Sequence, residues 1–347
     1  MLKLGIIGAT GYVGAEIVRL IALRKDIEIT TVVSNSFAGK PYSSVYPSLR
    51  GIFDKTCDQL DIEEVSKKAD FFITALPHGV SGEIVPELLA KGKRVIDHSG
   101  DFRFRDINVY EKWYNITHKS PQLVKDAVYG LPEIYREKIK TASLVADPGC
   151  YPTCSILAIA PALAKKLISP KGIIIDAVSG VSGAGRKSDL YYSYCETEAN
   201  FKAYGVANHR HTPEIEQELS LLADQEVLIS FTPHLAPMKR GMMTTCYLDL
   251  IQDGFTTSNV LEIYKEYYEN EPFIRVLPEG ILPETKNVAG SNFVDIGLIV
   301  DKRLNKLIVI SALDNLGKGS ASQAVQALNL MAGFNETEGL FTPSVYI

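Results

Sequence analysis

The segment Ala146-Asp147-Pro148-Gly149-Cys150-Tyr151-Pro152-Thr153 places one thiol where it can react. Proline and glycine stop a preceding strand. The run CSILAIAPALAKKL then reads as a long helix over 151–167 that tolerates Pro161. Cys150 falls in its first turn, facing unpaired N–H groups and the positive end of the helix dipole, so its pKa is expected to fall and its thiolate fraction to rise. A cysteine becomes a nucleophile at neutral pH in this way. The other four, Cys57, Cys154, Cys195 and Cys246, read as buried packing residues, the usual fate of a lone cysteine. Cys150 and Cys154 make a Cys-x-x-x-Cys pair, but no second pair supports metal or redox chemistry.

A nucleophile of this kind needs a proton partner. His209 and His211 stand in Asn208-His209-Arg210-His211-Thr212-Pro213-Glu214. Thr212 is a good N-cap and Pro213 a good first helical residue, so a helix is expected from Pro213. Both histidines then lie in the extended entry and project to one side. Either could hold a thiolate ionised and act as general acid. A surface pair is the plain alternative. A zinc site ranks lower, because no cysteine or carboxylate set nearby completes a tetrahedron, and no metal is expected. His234 reads as structural, and His98 and His118 have no argued role.

Two segments could hold an anion. Ser99-Gly100-Asp101-Phe102-Arg103 follows the expected strand 94–97, and the carboxyl ends of strands are where open α/β sheets bind ligands. Ser99 lies there, and Arg103 could fork onto a phosphate or carboxylate. The loop 179–187, with Ser182 and Gly183, is open enough to approach a ligand and ends in Arg186 and Lys187. A surface ion pair and a plain flexible loop are the respective alternatives.

The strand 2–7 runs into Gly8-Ala9-Thr10-Gly11-Tyr12-Val13-Gly14, a G-x-x-G-x-x-G variant of the dinucleotide fingerprint between a strand and a helix. N–H groups at the helix start would face the phosphates. An NAD site usually has an acidic residue at the end of the second strand. Here Ser34, Asn35 and Ser36 stand instead, followed by Lys40. Hydroxyls and an amine suit a 2′-phosphate, so NADP(H) is the expected cofactor.

Behind these motifs, short apolar strands at 2–7, 27–33, 70–76 and 94–97 alternate with helices at 12–23 and 80–90, which implies a parallel sheet. After about residue 150, strands at 172–178, 227–235, 242–250, 292–300 and 307–312 have longer connections and suggest a second domain on a mixed or antiparallel sheet. A terminal helix is expected at 320–331. The 347 residues suit two domains at roughly 100–200 residues each. A net charge of −5 argues against nucleic acid or an anionic membrane as partner. Five irregularly spaced cysteines suit a reducing cytoplasm, and neither a signal peptide nor a membrane span is expected.

Together these residues resemble the N-acetyl-γ-glutamyl-phosphate reductase family. The matching segments are GATGYVG, ALPHG at 75–79, SGDFR, PGCYPT, SGVSGAGRK, HRHTPEI, TPHLAPMKRG at 232–241 and DNLGKGSASQAVQ at 314–326, spread over nearly the whole chain. HRHTPEI and TPHLAPM are the most specific; PGCYPT and SGDFR also fit aspartate-semialdehyde dehydrogenase. The resemblance implies an α/β protein: a Rossmann NADP-binding domain over 1–149 plus 315–347, and a glyceraldehyde-3-phosphate-dehydrogenase-like α+β catalytic and oligomerisation domain over 150–314. It implies Pro77, His78, Asn315 and Gly317 as cofactor contacts, and homodimers or homotetramers in a bacterial cytoplasm. The family usually has Asn where this chain has Asp147, whose carboxylate is expected to point away from the thiol.

The implied chemistry is reduction of a small acyl phosphate to a semialdehyde through a Cys150 thioester. Arg103 holds an anionic group of the substrate, and His211 or His209 serves as acid. A non-catalytic NADP-sensing protein is the reading from a different class. Iodoacetamide should label Cys150 well below pH ~8.5 and abolish turnover; ordinary thiol reactivity at Cys150 would instead indicate the sensor.

Overall fold

Apolar runs too short for helices, each followed by an amphipathic segment, leave little choice but parallel strands with crossovers. The computed structural model describes residues 1–186 and 188–345 and divides into two units. The first comprises Met1–Pro148 with Ser320–Phe341; the second comprises Gly149–Gly319 with the chain from Thr342.

In the first unit β1 (Leu2–Ile7), α1 (Tyr12–Ile21) and β2 (Ile27–Val33) open the fold, followed by the short helices α2 (Tyr42–Val45) and α3 (Ile62–Ser66). Then come β3 (Phe71–Thr74), α4 (Ser81–Ala90), β4 (Arg94–Asp97), α5 (Ile107–Tyr114), β5 (Val128–Tyr129), α6 (Pro132–Thr141) and β6 (Leu144–Ala146). The strands form one parallel sheet in the order β2-β1-β3-β4-β6-β5. Ile7, Phe72, Val85, Leu88, Val95 and Leu144 share its core. The order reverses beside β1, so the Gly8 turn leaves the sheet where ligands bind in such folds.

Two glycines in that turn have steric reasons. Gly8 adopts φ +85°, and a Cβ there would lie 2.3 Å from the Ala75 carbonyl oxygen. A Cβ on Gly14 would lie 2.6 Å from Ala9 Cα, so α1 can approach the turn only with glycine there. The last helix, α11 (Ser322–Ala332), returns to this unit with ten buried residues. The Arg94 guanidinium donates to the Met331, Lys140 and Ala142 carbonyls, and Arg24 donates to Asn329 Oδ1, which ties the helix down.

The second unit begins with α7 (Cys150–Ala164), every residue of which from Tyr151 to Leu163 is buried. β7 (Ile173–Gly180), α8 (Tyr194–Thr197), β8 (Lys202–Ala203), α9 (Thr212–Ala223), β9 (Ile229–Ala236), β10 (Met242–Asp249), α10 (Thr257–Tyr267), β11 (Ile274–Val276), β12 (Val294–Asp301) and β13 (Lys306–Leu313) follow. The mixed sheet runs β11-β12-β13-β10-β7-β9-β8, parallel at β7/β9 and β11/β12 and antiparallel elsewhere. Alternating burial along β10 shows one covered face. α7 lies on it: Cys154 Sγ donates to the Ser311 carbonyl and pairs with Thr244 Oγ1. The Tyr264 and Tyr268 hydroxyls donate to the Ala158 and Leu157 carbonyls and pin α10 onto α7. The opposite face leaves Ile174 and Ile299 exposed.

The expected strands and helices are present with their ends shifted by a few residues, and the C-terminal segment differs in three further ways. The terminal helix is preceded by a π-helical turn over Gly317–Ala321. Residues 315–319 cluster with the second unit, because Gly317 N–H donates to Asp314 Oδ1 and Gly319 N–H to the Asp314 carbonyl. Residues 342–345 also lie there, where Val345 N–H donates to the Ala289 carbonyl. Gly14→Val is expected to destabilise the first unit by about 1–3 kcal/mol and to abolish dinucleotide binding. An unchanged melting temperature together with unchanged nucleotide affinity by calorimetry would refute this packing argument.

Candidate active site

The turn before α7 explains why the nucleophile motif reads Gly-Cys. Gly149 is the N-cap, extended at φ −70° and ψ 155°, and has no side chain with which to cap the helix. A Cβ on it would lie 2.4 Å from His211 Nε2, so the imidazole of His211 rests directly on the Gly149 α-carbon. Gly149 N–H donates to Glu214 Oε1 at 2.9 Å, and Glu214 is fully buried. On the other side a Cβ on Gly319 would come within 2.9 Å of Cys150 Cβ. Cys150, half-buried, is thus the first helical residue, clasped by glycines and next to a histidine.

The two histidines separate clearly. His209 packs edge-on to Tyr151, Tyr204 and Phe231, and its Nδ1 accepts from His211 N–H at 3.1 Å. Burial, then neighbouring Arg210, pushes its pKa down to about 4, so the ring is neutral at physiological pH. His209 is therefore a neutral acceptor for the His211 backbone N–H. The helix starts at Thr212, one residue before the expected Pro213, and His211 rather than Thr212 occupies the cap position, in αR conformation at φ −79°. Below them the Tyr204 hydroxyl donates to Tyr151, which donates to the His234 carbonyl. Burial raises the pKa of both phenols.

The loop after β7 joins this unit. Asn315 Nδ2 donates to Ser182 Oγ at 2.9 Å, and its Oδ1 accepts from Gly241 N–H. Gly183 lies beside the same amide. Asp314, fully buried, accepts from Leu316, Gly317 and Gly290 N–H and forms an ion pair with Arg240. Ser182, Gly183, Asn315 and Gly317 are thus brought together, and Arg186 is exposed. Lys187 lies outside the described residues.

In the first unit Gly8 and Ala9 N–H both donate to the Val33 carbonyl. Tyr12 and Val13, at the start of α1, form the end that would face an anion. Thr10 Oγ1 and Ser34 Oγ lie 2.7 Å apart. Ser36 and Lys40 are exposed on the following turn, with Lys40 Nζ 5.9 Å from the Phe37 ring centre. Asp58, the acid beside β2, is occupied: it accepts from Thr31 Oγ1 and pairs with Lys68.

Pro77 is exposed on the turn after β3, and His78 Nδ1 accepts from Gly100 N–H at 2.9 Å. Ser99 does not reach an open surface. Its hydroxyl donates to the buried Asp97, whose pKa burial raises, and accepts from Asp101 N–H. Arg103 is nearly buried; its Nε donates to the Asp147 carbonyl and a terminal nitrogen to the His98 carbonyl. The Asp147 carboxylate is taken by His98 Nδ1 at 2.6 Å.

Several positioning residues went unread in the sequence. Asp101 accepts from Gly79 N–H, Gly82 N–H and the Tyr110 hydroxyl, and so fixes the turn that carries Pro77 and His78. His118 Nε2–H donates to the Asp101 carbonyl while Nδ1 accepts from Ser120 N–H. Glu214 is another, and so is His98, the partner of Asp147. Among the cysteines, burial raises the pKa of Cys57, of Cys154 (to about 11) and of Cys246. Cys195 differs from expectation: it is exposed, on the one-turn helix α8. Among the described residues no cluster of three or more metal-ligating side chains occurs, and no helix is long and apolar enough to cross a membrane.

Residues 3–142 match the family described as semialdehyde dehydrogenase, NAD binding domain, and residues 150–315 match semialdehyde dehydrogenase, dimerisation domain. An N-acetyl-gamma-glutamyl-phosphate reductase of Acetivibrio thermocellus is 60% identical over 347 residues, covering all of both chains. The enzyme of the same name from Desulforamulus reducens is 51% identical, again over both whole chains. Among solved structures, aspartate semialdehyde dehydrogenase II of Vibrio cholerae superposes with a TM-score of 0.73 at 17% identity, covering 96% of this chain and 98% of its own. Aspartate semialdehyde dehydrogenase of Candida albicans with NADP gives 0.68 at 16%, over 96% and 98%. At such identities the likeness is one of fold.

His209 also makes stability depend on pH. Its folded pKa of about 4 lies below the ordinary 6.5, so the unfolded chain takes up the proton first. Its contribution is full above pH 6.5 and is lost as pH falls towards 4. Urea unfolding should show about 2 kcal/mol less stability at about pH 5 than at about pH 7.5 from this group. His209→Asn, which keeps an acceptor for His211 N–H, should remove that component; an unchanged slope would refute the assignment.

Proposed function

We propose that this chain, which belongs to the N-acetyl-γ-glutamyl-phosphate reductase family of the semialdehyde dehydrogenases, reduces N-acetyl-γ-glutamyl phosphate to N-acetylglutamate semialdehyde and phosphate with NADPH, a step of arginine biosynthesis. The observation that carries the reading is Cys150 at the first position of a buried helix, with His211 resting on the preceding glycine.

The Cys150 thiolate attacks the acyl phosphate carbonyl, and phosphate leaves with the bonding electrons, giving a thioester. Helix-start N–H groups favour both the thiolate and the oxyanion that forms during attack. NADPH, when bound, supplies the hydride that reduces the thioester carbon. His211 delivers a proton to the resulting oxygen and recovers it as the thiohemiacetal collapses, which frees the semialdehyde and restores the thiolate. His209 Nδ1 accepts from the His211 backbone N–H and so holds that residue in place, and Arg103 holds an anionic group of the substrate.

The nucleotide belongs to the glycine turn of the first unit. Gly8 and Gly14 are confined by Ala75 and Ala9, which sets the tight turn and the approach of α1, while a Cβ on Gly11 would come no nearer than 3.5 Å to the Gly8 carbonyl oxygen, and its bare backbone suits close approach by a pyrophosphate. The Thr10–Ser34 hydroxyl pair, with Asp58 beside β2 already taken up by Thr31 and Lys68, favours NADP over NAD, and Ser36 and Lys40 extend that surface. The half-exposed apolar face of the mixed sheet suits a second copy of the chain, giving a homodimer or homotetramer, and cytoplasmic reducing conditions suit the free thiols.

Aspartate-semialdehyde dehydrogenase and a non-catalytic NADP sensor are the rival readings. The purified protein should oxidise N-acetylglutamate semialdehyde with NADP and phosphate. Oxidation of the aspartate compound alone would overturn the substrate, and no turnover with either would favour the sensor. Cys150→Ser should lower kcat at least about a thousandfold, and His211→Asn about a hundredfold or more. Intact-mass analysis after quenching with acyl phosphate should find the acyl group on Cys150; its absence ends the thioester mechanism.

A further inference from the structure

We propose that His98 and Asp147 act as one positioning unit for the Arg103 guanidinium, an inference that rests on Arg103 as the holder of the substrate's anionic group. The two residues stand at matching places, each the first after its strand. β4 and β6 pair through Asp97 and Ala146, and Asp147 N–H donates to the Asp97 carbonyl at 2.8 Å. Beyond that last ladder bond the strands have no further backbone tie, and the side chains take over: His98 Nδ1 meets Asp147 Oδ2 at 2.6 Å.

Arg103 rests on these same two residues. Its Nε donates to the Asp147 carbonyl at 2.7 Å and a terminal nitrogen to the His98 carbonyl at 2.9 Å. The two carbonyls thus help to set the direction of the guanidinium, and the imidazole–carboxylate link sets their spacing. The rest of His98 is also held, because its Nε2 pairs with Ser320 Oγ at 3.0 Å.

Burial makes the link obligatory. Asp147 is fully buried and Arg103 nearly so, and a buried carboxylate that loses its partner is strongly disfavoured. Either side chain alone would draw its strand end elsewhere and carry one carbonyl with it. The pair is thus a device for aiming a third residue five positions away from one partner and forty-four from the other.

Steady-state kinetics of the full chain in the semialdehyde-oxidising direction tests this, with His98→Leu, Asp147→Leu, the double variant and Arg103→Ala. Each single change should raise KM for the semialdehyde about tenfold to a hundredfold, change kcat less, and leave KM for NADP unaltered. The double should fall within about threefold of the worse single, since both changes remove one constraint. An unaltered semialdehyde KM, a parallel rise in the NADP KM, or effects that multiply in the double would overturn the inference. If the singles do not fold, the double, which strands neither partner, is read alone, and a wild-type KM there overturns it. Arg103→Ala separates the two ideas. If it leaves KM unchanged, the substrate role of Arg103 fails; if it raises KM while the pair variants do not, only the positioning role fails.

Discussion

Contact between an imidazole and a bare α-carbon governs the second unit. His211 can lie on Gly149 only because that residue has no side chain, and Gly149 can stay extended there because Glu214 takes its N–H. Glu214 sits in the first turn of α9, three residues beyond His211, so one helix supplies both the ring and the anchor. The first turn of α7 and the first turn of α9 are thereby locked together, and the geometry around Cys150 follows from that lock. His209, neutral and surrounded by aromatic rings, serves as the rigid backing of the arrangement.

The first unit uses buried acids for a comparable purpose. Asp97 gathers the hydroxyls of Thr74 and Ser99, and Asp101 gathers two N–H groups and a phenol. Both stand at or just after the end of β4, where loops leave the sheet. Loop backbone has no ladder partners, and a carboxylate with several acceptor sites can replace them. The turns that carry Pro77 and His78 are fixed in this way, without contributing acidic groups to the surface.

What the sequence revealed was local. The Gly8–Gly14 turn, the strand-stopping Pro148-Gly149 and the Thr212-Pro213 helix start each announce themselves within a few neighbouring residues. Contacts over long separations did not. Asp147 reaches His98 across 49 positions and Gly149 reaches Glu214 across 65, and no spacing rule links them. Asp147 could be noticed as unusual before the nucleophile, but the histidine that accounts for it had no visible role. Ser99 was legible as a loop residue, yet its commitment to Asp97 depends on a strand order that only folding creates. Cys195 was misjudged because a one-turn helix in a polar loop leaves it exposed.

The placement of α11 has a consequence for synthesis. This helix buries ten residues in the unit that the N-terminal half of the chain mostly builds, and Arg94 and Arg24 wait for its carbonyl and amide groups. At roughly 5–20 residues per second, the ribosome delivers it on the order of tens of seconds after β1. Throughout that interval the nascent sheet lacks one of its coverings and must be shielded from other chains. An early stop that spares every residue of the thiol turn and the glycine turn would still leave a product prone to aggregation.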